Sequence, residues 1–219
     1  MTLEQTLEVK TAAPPGAATP DPATDTPPGS LASLRGRLVE FDGAAGANGA
    51  AGANGAAFTF AADYLREAQI LAEPVVWVSV SSRGSIFFPP DLLAWGIDLA
   101  ALPVVRAGGM KGAFAAADKL LRSGAFGLLV IDFEGPGDLP LPVQTRLSGL
   151  AQKHEAAVIF LTERDPELES LGSLLSLRLS CRWRREGGRF FCRAEALKDK
   201  RLGPGWSREI EVDGSPGLR

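Results

Sequence analysis

Residues 43–57 read GAAGANGAAGANGAA, a tandem hexapeptide of Gly, Ala and Asn. The tract stands between an apolar run, GRLVEFD at 36–42, and an apolar helical pattern. Strand, glycine loop and helix is the order of a phosphate-binding unit. Its glycines let backbone N–H groups surround phosphate, a lysine reaches the β- and γ-phosphates, and a Ser or Thr hydroxyl holds magnesium. Here Gly43, Gly49 and Gly55 keep the glycines, and the other groups are missing. No Lys or Arg lies between Arg37 and Arg66, Ala56 or Ala57 stands at the lysine position, and Thr59 is displaced from the hydroxyl position. Phosphoryl transfer depends on charge stabilisation. The expectation is therefore a protein that is not an enzyme and uses no cofactor, with a vestigial nucleotide site. Two readings of the tract stay open. Bare amides at a helix N-terminus bind phosphate weakly, or the tract is a repeat-expanded relic that loses much entropy on ordering and gains little contact.

The remaining groups capable of chemistry are few. Asp132 ends an apolar run, LLVID, where a carboxylate either serves a site or caps the next loop. His154 is the only histidine, near a predicted helix end with no Ser, Cys or acid placed beside it, and reads as a helix-terminal polar residue. Cys181 and Cys192 have no metal-ligand spacing and read as reduced core thiols. Trp77 and Trp95 read as core, and Trp183 and Trp206 as strand or turn residues near a basic region, where ordinary packing is the favoured reading and stacking on a base the alternative. That region, 178–208, carries ten Lys/Arg against three Asp/Glu in a chain of net charge -3. Arg178, Arg182, Arg184, Arg189 and Arg193 fall on one solvent-facing set of two alternating strands, followed by Lys198 and Lys200. Such a face either follows a nucleic-acid phosphate backbone weakly or is a solvated face that discourages edge-to-edge aggregation.

Positioning these groups requires an α/β sheet. With 219 residues, 45% hydrophobic and 22% charged, the chain fits one main domain. The strand at 36–42 leads through the glycine tract to a helix over 56–72, with Phe60, Tyr64, Leu65 and Ala68 at helical spacing, and Pro74 then opens the strand PVVWVSV. Strand LPVVRA, helix 111–123, strand FGLLVID, helix 143–154 and strand AAVIFLT continue the alternation, which predicts a mostly parallel sheet flanked by helices. From 174 to 197 the period becomes two, with Gly187 and Gly188 at a turn, predicting an antiparallel C-terminal hairpin before a last strand at 207–212. Residues 1–30 read as a disordered Ala/Pro-rich tether, and 31–219 as the core. No signal-peptide pattern or apolar run near the ~20 residues of a membrane helix is present, which predicts a cytoplasmic protein with no membrane contact.

GRLVEFDG, the helix ending in REAQ, PVVWVSV, LLAWGIDLAALPVVRA, KLLRSGAFGLLVIDF and KDKRLGPGWSREIEV together resemble, in order and spacing, successive landmarks of the RecA recombinase core. The resemblance covers about Leu34 to Val212 and implies a RecA-like fold, with Asp132 at the position of the aspartate that holds the magnesium hydration shell. Where that family carries its catalytic glutamate this chain has Ser79, Ser81 and Ser82, and the DNA-binding loops are reduced to Phe133–Pro142 and Glu163–Gly172. A short chain of this kind with the hairpin SLRLSCRWRR is most similar to the ImuA family, the RecA-like accessories of bacterial mutagenic translesion synthesis. That similarity implies a DNA-damage-induced, non-catalytic adaptor. Its implied partners are an ImuB-like inactive Y-family polymerase relative, an error-prone DnaE-type polymerase subunit and RecA itself. It also implies a partner groove at the old polymerisation edge, made by Val104 and Val105 on a strand and Ala113, Ala117, Leu120 and Leu121 on the following helix. The opposing reading of those helix residues is an amphipathic face packed on its own sheet. A switch that still binds ATP, and a DNA-binding module centred on the hairpin, are the alternative functions.

Overall fold

The computed structural model describes residues 9–12, 26–43, 55–80, 90–93, 95–133, 138–164, 167–187 and 189–212. The strands are β1 (Val9–Ala12), β2 (Leu38–Asp42), β3 (Val75–Val80), β4 (Val104–Ala107), β5 (Leu128–Asp132), β6 (Ala157–Thr162), β7 (Leu177–Glu186), β8 (Arg189–Asp199) and β9 (Ser207–Val212). The helices are α1 (Leu31–Leu34), α2 (Gly55–Ile70), α3 (Pro90–Leu93), α4 (Met110–Ser123) and α5 (Leu141–His154). The nine strands of the described residues lie in one sheet of order β1-β9-β8-β7-β2-β6-β5-β3-β4. The pairs from β7 through β2, β6, β5 and β3 to β4 are parallel, and β7, β8, β9 and β1 pair antiparallel. The chain is thus an α/β protein with a mixed sheet and an antiparallel C-terminal hairpin, as the change of hydrophobic period predicts.

Strands β2, β3, β5 and β6 are buried along their whole length. They are covered on both faces, which explains their nearly continuous apolar sequences. Phe41, Trp77, Val130 and Ile159 meet Phe60, Tyr64 and Leu65 of α2 on one side. Val76, Val78, Ile131 and Phe160 meet Ala113 and Ala117 of α4 and Leu147 and Ala151 of α5 on the other. α4 stops at Gly124, whose φ of 67° is left-handed, and His154 of α5 packs on the face where a Cβ would stand. His154 is therefore a helix-packing residue.

The tether expectation is modified within residues 1–30. Val9–Ala12 pair with Ile210–Ser207 of β9 and add a ninth strand. Gly29, with φ 74°, brings its backbone against the Trp206 ring, and its carbonyl accepts from Tyr64 Oη (2.6 Å) and Arg208 Nη1 (2.8 Å). Residues 1–8 and 13–25 lie outside the described residues.

Three buried ion pairs fasten the antiparallel strands to the parallel half. Arg37, just before β2, meets Asp199 at the end of β8 at 2.6 Å. Arg208 of β9 meets Asp63 of α2 and stands 4.8 Å from the Tyr64 ring centroid. Arg178 of β7 meets Asp42 of β2 at 3.0 Å.

Candidate functional site

In open sheets of this class, ligands bind beyond the carboxyl ends of the parallel strands. Here that rim is formed by Asp42 and Gly43 after β2, Thr162 of β6, Asp132 of β5 and Ser79 of β3. The Gly43 amide donates to the Thr162 carbonyl at 2.9 Å, so the last residue before the tract is held in the sheet. Gly55 opens α2, while residues 44–54, including Gly49, lie outside the described residues, as do Ser81 and Ser82. Asp132 stands opposite Ser79 in register. Strand alternation turns both toward the α2 side, together with Trp77 and Val130. Asp132 is 8% exposed. Ala56 and Ala57, at the lysine position of the motif, are both buried in the first turn of α2, and Thr59 is buried as well. The described part of this rim therefore holds two buried carboxylates, Asp42 and Asp132, which lie toward opposite faces of the sheet, and no cationic side chain from the first turns of α2.

On the opposite face of the sheet lies a polar cluster that sequence reasoning missed. Arg178, expected to face solvent, is 4% exposed. Its Nε donates to Asp42 Oδ2 at 3.0 Å and lies 3.8 Å from Glu40 Oε2, and its Nη1 donates to the Leu168 carbonyl. Glu40 accepts from Thr162 Oγ1 (3.2 Å) and from the Leu171 amide (2.8 Å). The segment around Leu168 to Leu171, the expected second DNA loop, is thus tied down over a buried salt bridge. Arg178 differs from Arg182 because β2 pairs with β7 only from Leu177 to Ser180. Strict alternation predicts which face a residue occupies and says nothing about whether another segment covers that face.

Burial pushes the Asp42 carboxyl up to about 6, against the pull of the Arg178 guanidinium. A carboxyl that titrates higher in the fold than its unfolded 3.8 binds a proton on folding between the two values. Its stabilising contribution is therefore full below about pH 4 and is lost as pH rises through 6, with a total on the order of 3 kcal/mol. Urea unfolding midpoints measured from pH 4 to 7.5 are expected to fall more steeply in the wild type than in Asp42→Asn; parallel profiles would contradict the assignment.

The other expected nucleic-acid contacts are divided by their surroundings. Arg184 pairs with Glu186 and Glu209, and Arg189 with Glu211, so β9 supplies acids that the hairpin sequence alone does not reveal. Lys198 is half-buried and held below the usual lysine range, first by burial and then by Lys200. Lys200 donates to the Ser173 carbonyl at 2.8 Å. Arg182 and Arg193 stay exposed and stand directly opposite each other across β7 and β8. A uniform basic face is therefore not formed. Trp183, which alternates with the buried Leu177, Leu179 and Cys181, is nevertheless 46% exposed beside Gly55, because the hairpin runs on past the start of α2.

The expected partner groove also separates into two parts. Ala113, Ala117 and Leu121 are buried against their own sheet, which corrects their assignment to a partner surface. Their spacing is that of an ordinary packed helix face. Val104, Val105 and Leu120 are half-buried, and among the described residues β4 is the last strand of the sheet on its side.

The fold and its polar rim define an α/β protein with an open, mostly parallel sheet. No protein-family model matches the chain, and no curated protein matches it in sequence. Among the described residues, no helix is long and apolar enough to cross a membrane.

Proposed function

We propose that the chain is a non-catalytic, RecA-like adaptor in DNA-damage tolerance that holds partner proteins by strand addition along β4. The observation that carries this reading is the position of β4, which has β3 on one side and, among the described residues, no strand on the other. The Trp77 amide donates to the Pro103 carbonyl at 3.0 Å. Parallel alternation then directs the Val104 and Arg106 amides away from β3, available to an extended segment of a partner. The non-catalytic part of the reading is supported by a tract without lysine or magnesium-holding hydroxyl, and by alanines buried where the lysine belongs. The damage-tolerance part rests on the RecA-like and ImuA-like order of segments. The partners are an ImuB-like inactive Y-family polymerase relative, an error-prone DnaE-type polymerase subunit and RecA, in the cytoplasm.

Arg106→Pro removes one outward amide and keeps the ladder to β3. It is expected to weaken binding to a purified ImuB-like partner about tenfold or more, the equivalent of about 1.4 kcal/mol, with an unchanged melting temperature. Wild-type binding unaffected by the proline, or absent altogether, would sink the strand-addition reading. Magnesium and ATP are expected to leave the melting temperature unchanged. A ligand at a hundredfold its Kd would add about 2.7 kcal/mol of stability, and such a shift would favour an ATP-binding switch instead.

A further inference from the structure

We propose that the projecting end of the β7–β8 hairpin is a stacking platform for single-stranded nucleic acid, built on Trp183, Phe190 and Arg185. β2 ends at Asp42 opposite Ser180, so among the described residues Cys181–Glu186 have a neighbouring strand only on their β8 side. On the α2-facing side of this projection stand Trp183, 46% exposed, and Phe190, half-buried, with the Arg185 guanidinium 5.3 Å from the Phe190 ring centroid. Among the described strand residues no carboxylate belongs to that face: β7 contributes Cys181, Trp183 and Arg185, β8 Phe190 and Cys192, and β9 Ile210 and Val212.

The other side of the same projection places Arg182 directly opposite Arg193. Like charges paired across strands oppose folding, and among the described residues no carboxylate lies within ion-pair distance of either, or of Arg185. Glu209 stands opposite Arg193 in the β8–β9 register, but its ion pair is with Arg184, and that of Glu211 is with Arg189. An exposed indole, a ring already carrying a guanidinium and two arginines with no carboxylate at ion-pair distance among the described residues match what a single strand presents. Its bases have π faces and its phosphates have charge. A duplex keeps its bases stacked inward and cannot use the rings. An acidic peptide would use the arginines and leave Trp183 idle.

The test is fluorescence anisotropy of a labelled oligo-dT with the full chain, at several salt concentrations. Trp183→Ala is expected to weaken binding about 5- to 150-fold, the range for loss of one stacked base. Trp183→Phe should keep most of the affinity. Arg182→Glu/Arg193→Glu is expected to lower affinity and to flatten the plot of log K against log salt by roughly 1.4, two phosphates at about 0.7 each. Arg122→Glu, on exposed α4, should change neither. All four variants alter exposed or partly exposed side chains, and each is checked for an unchanged melting temperature. Absence of binding at low salt overturns the proposal. So does binding indifferent to Trp183, equal affinity for duplex, or equal affinity for poly-glutamate, the last assigning the arginines to an acidic protein segment.

Discussion

Replacing Arg178 by methionine is expected to lower folding stability by about 3–5 kcal/mol at neutral pH, the loss typical of removing one partner from a buried ion pair. The side chain is the only cation within ion-pair distance of Asp42 and Glu40 among the described residues, and both carboxylates are fully buried. Without it, two negative charges remain in a site that excludes water. Asp42 already titrates near 6 because of burial, and loss of the guanidinium drives it higher still. Protonation then relieves part of the penalty, so the variant should be less impaired at pH 5 than at pH 7. Urea unfolding of wild type and variant at both pH values measures this, and an identical loss at the two would remove Asp42 from the explanation. The result also bears on function. An Arg178 variant that fails to bind nucleic acid would fail through instability, whereas Arg182 and Arg193 variants test contact.

Asp199→Ala is expected to be of similar size, about 3–5 kcal/mol. Its carboxylate accepts from Arg37 Nη2 at 2.6 Å, from the Arg201 and Leu202 amides at 2.8 and 3.3 Å, and from Trp206 Nε1 at 3.0 Å. One side chain thus neutralises a buried arginine, closes the turn after β8 and anchors the indole that Gly29 packs on. The Arg37 guanidinium would keep its bonds to Ser176 and the Ser33 carbonyl and lose its counter-charge. Arg37→Met/Asp199→Leu removes both charges together and should recover the part of the loss due to the unpaired Arg37, but not the part due to the Arg201, Leu202 and Trp206 donors. A double-mutant cycle by chemical denaturation measures the coupling; additive losses would mean that the two groups do not act as a pair.

The parallel half of the fold was legible because covered strands are apolar throughout and the helices between them carry a 3.6-residue period. The predicted helix over 111–123 and the observed Met110–Ser123 differ by one residue. The hairpin was legible from its two-residue period and its glycine turn. The candidate site was less so. Arg178 and Arg182 share one alternating pattern in sequence, and their fates separate because β2 ends between them. Ala113 and Ala117 were readable either as a vacancy for a partner or as close packing on their own sheet, and packing density decided for the second. The acids opposite Arg184 and Arg189 come from β9, more than twenty residues along the chain, and only strand pairing brings them near.

Local chemistry by itself determined that this is an α/β chain and that its glycine tract lacks lysine and a positioned hydroxyl, because periodicity and residue type are properties of neighbours in sequence. Tertiary structure alone decided which arginines are structural and which are exposed. A guanidinium is stabilised in the interior only where a carboxylate from another strand meets it, and stays in water where the sheet has ended. The same limit of the sheet left Trp183 half in solvent and, among the described residues, β4 without an outer neighbour, and these two margins are the ones on which the proposals above rest.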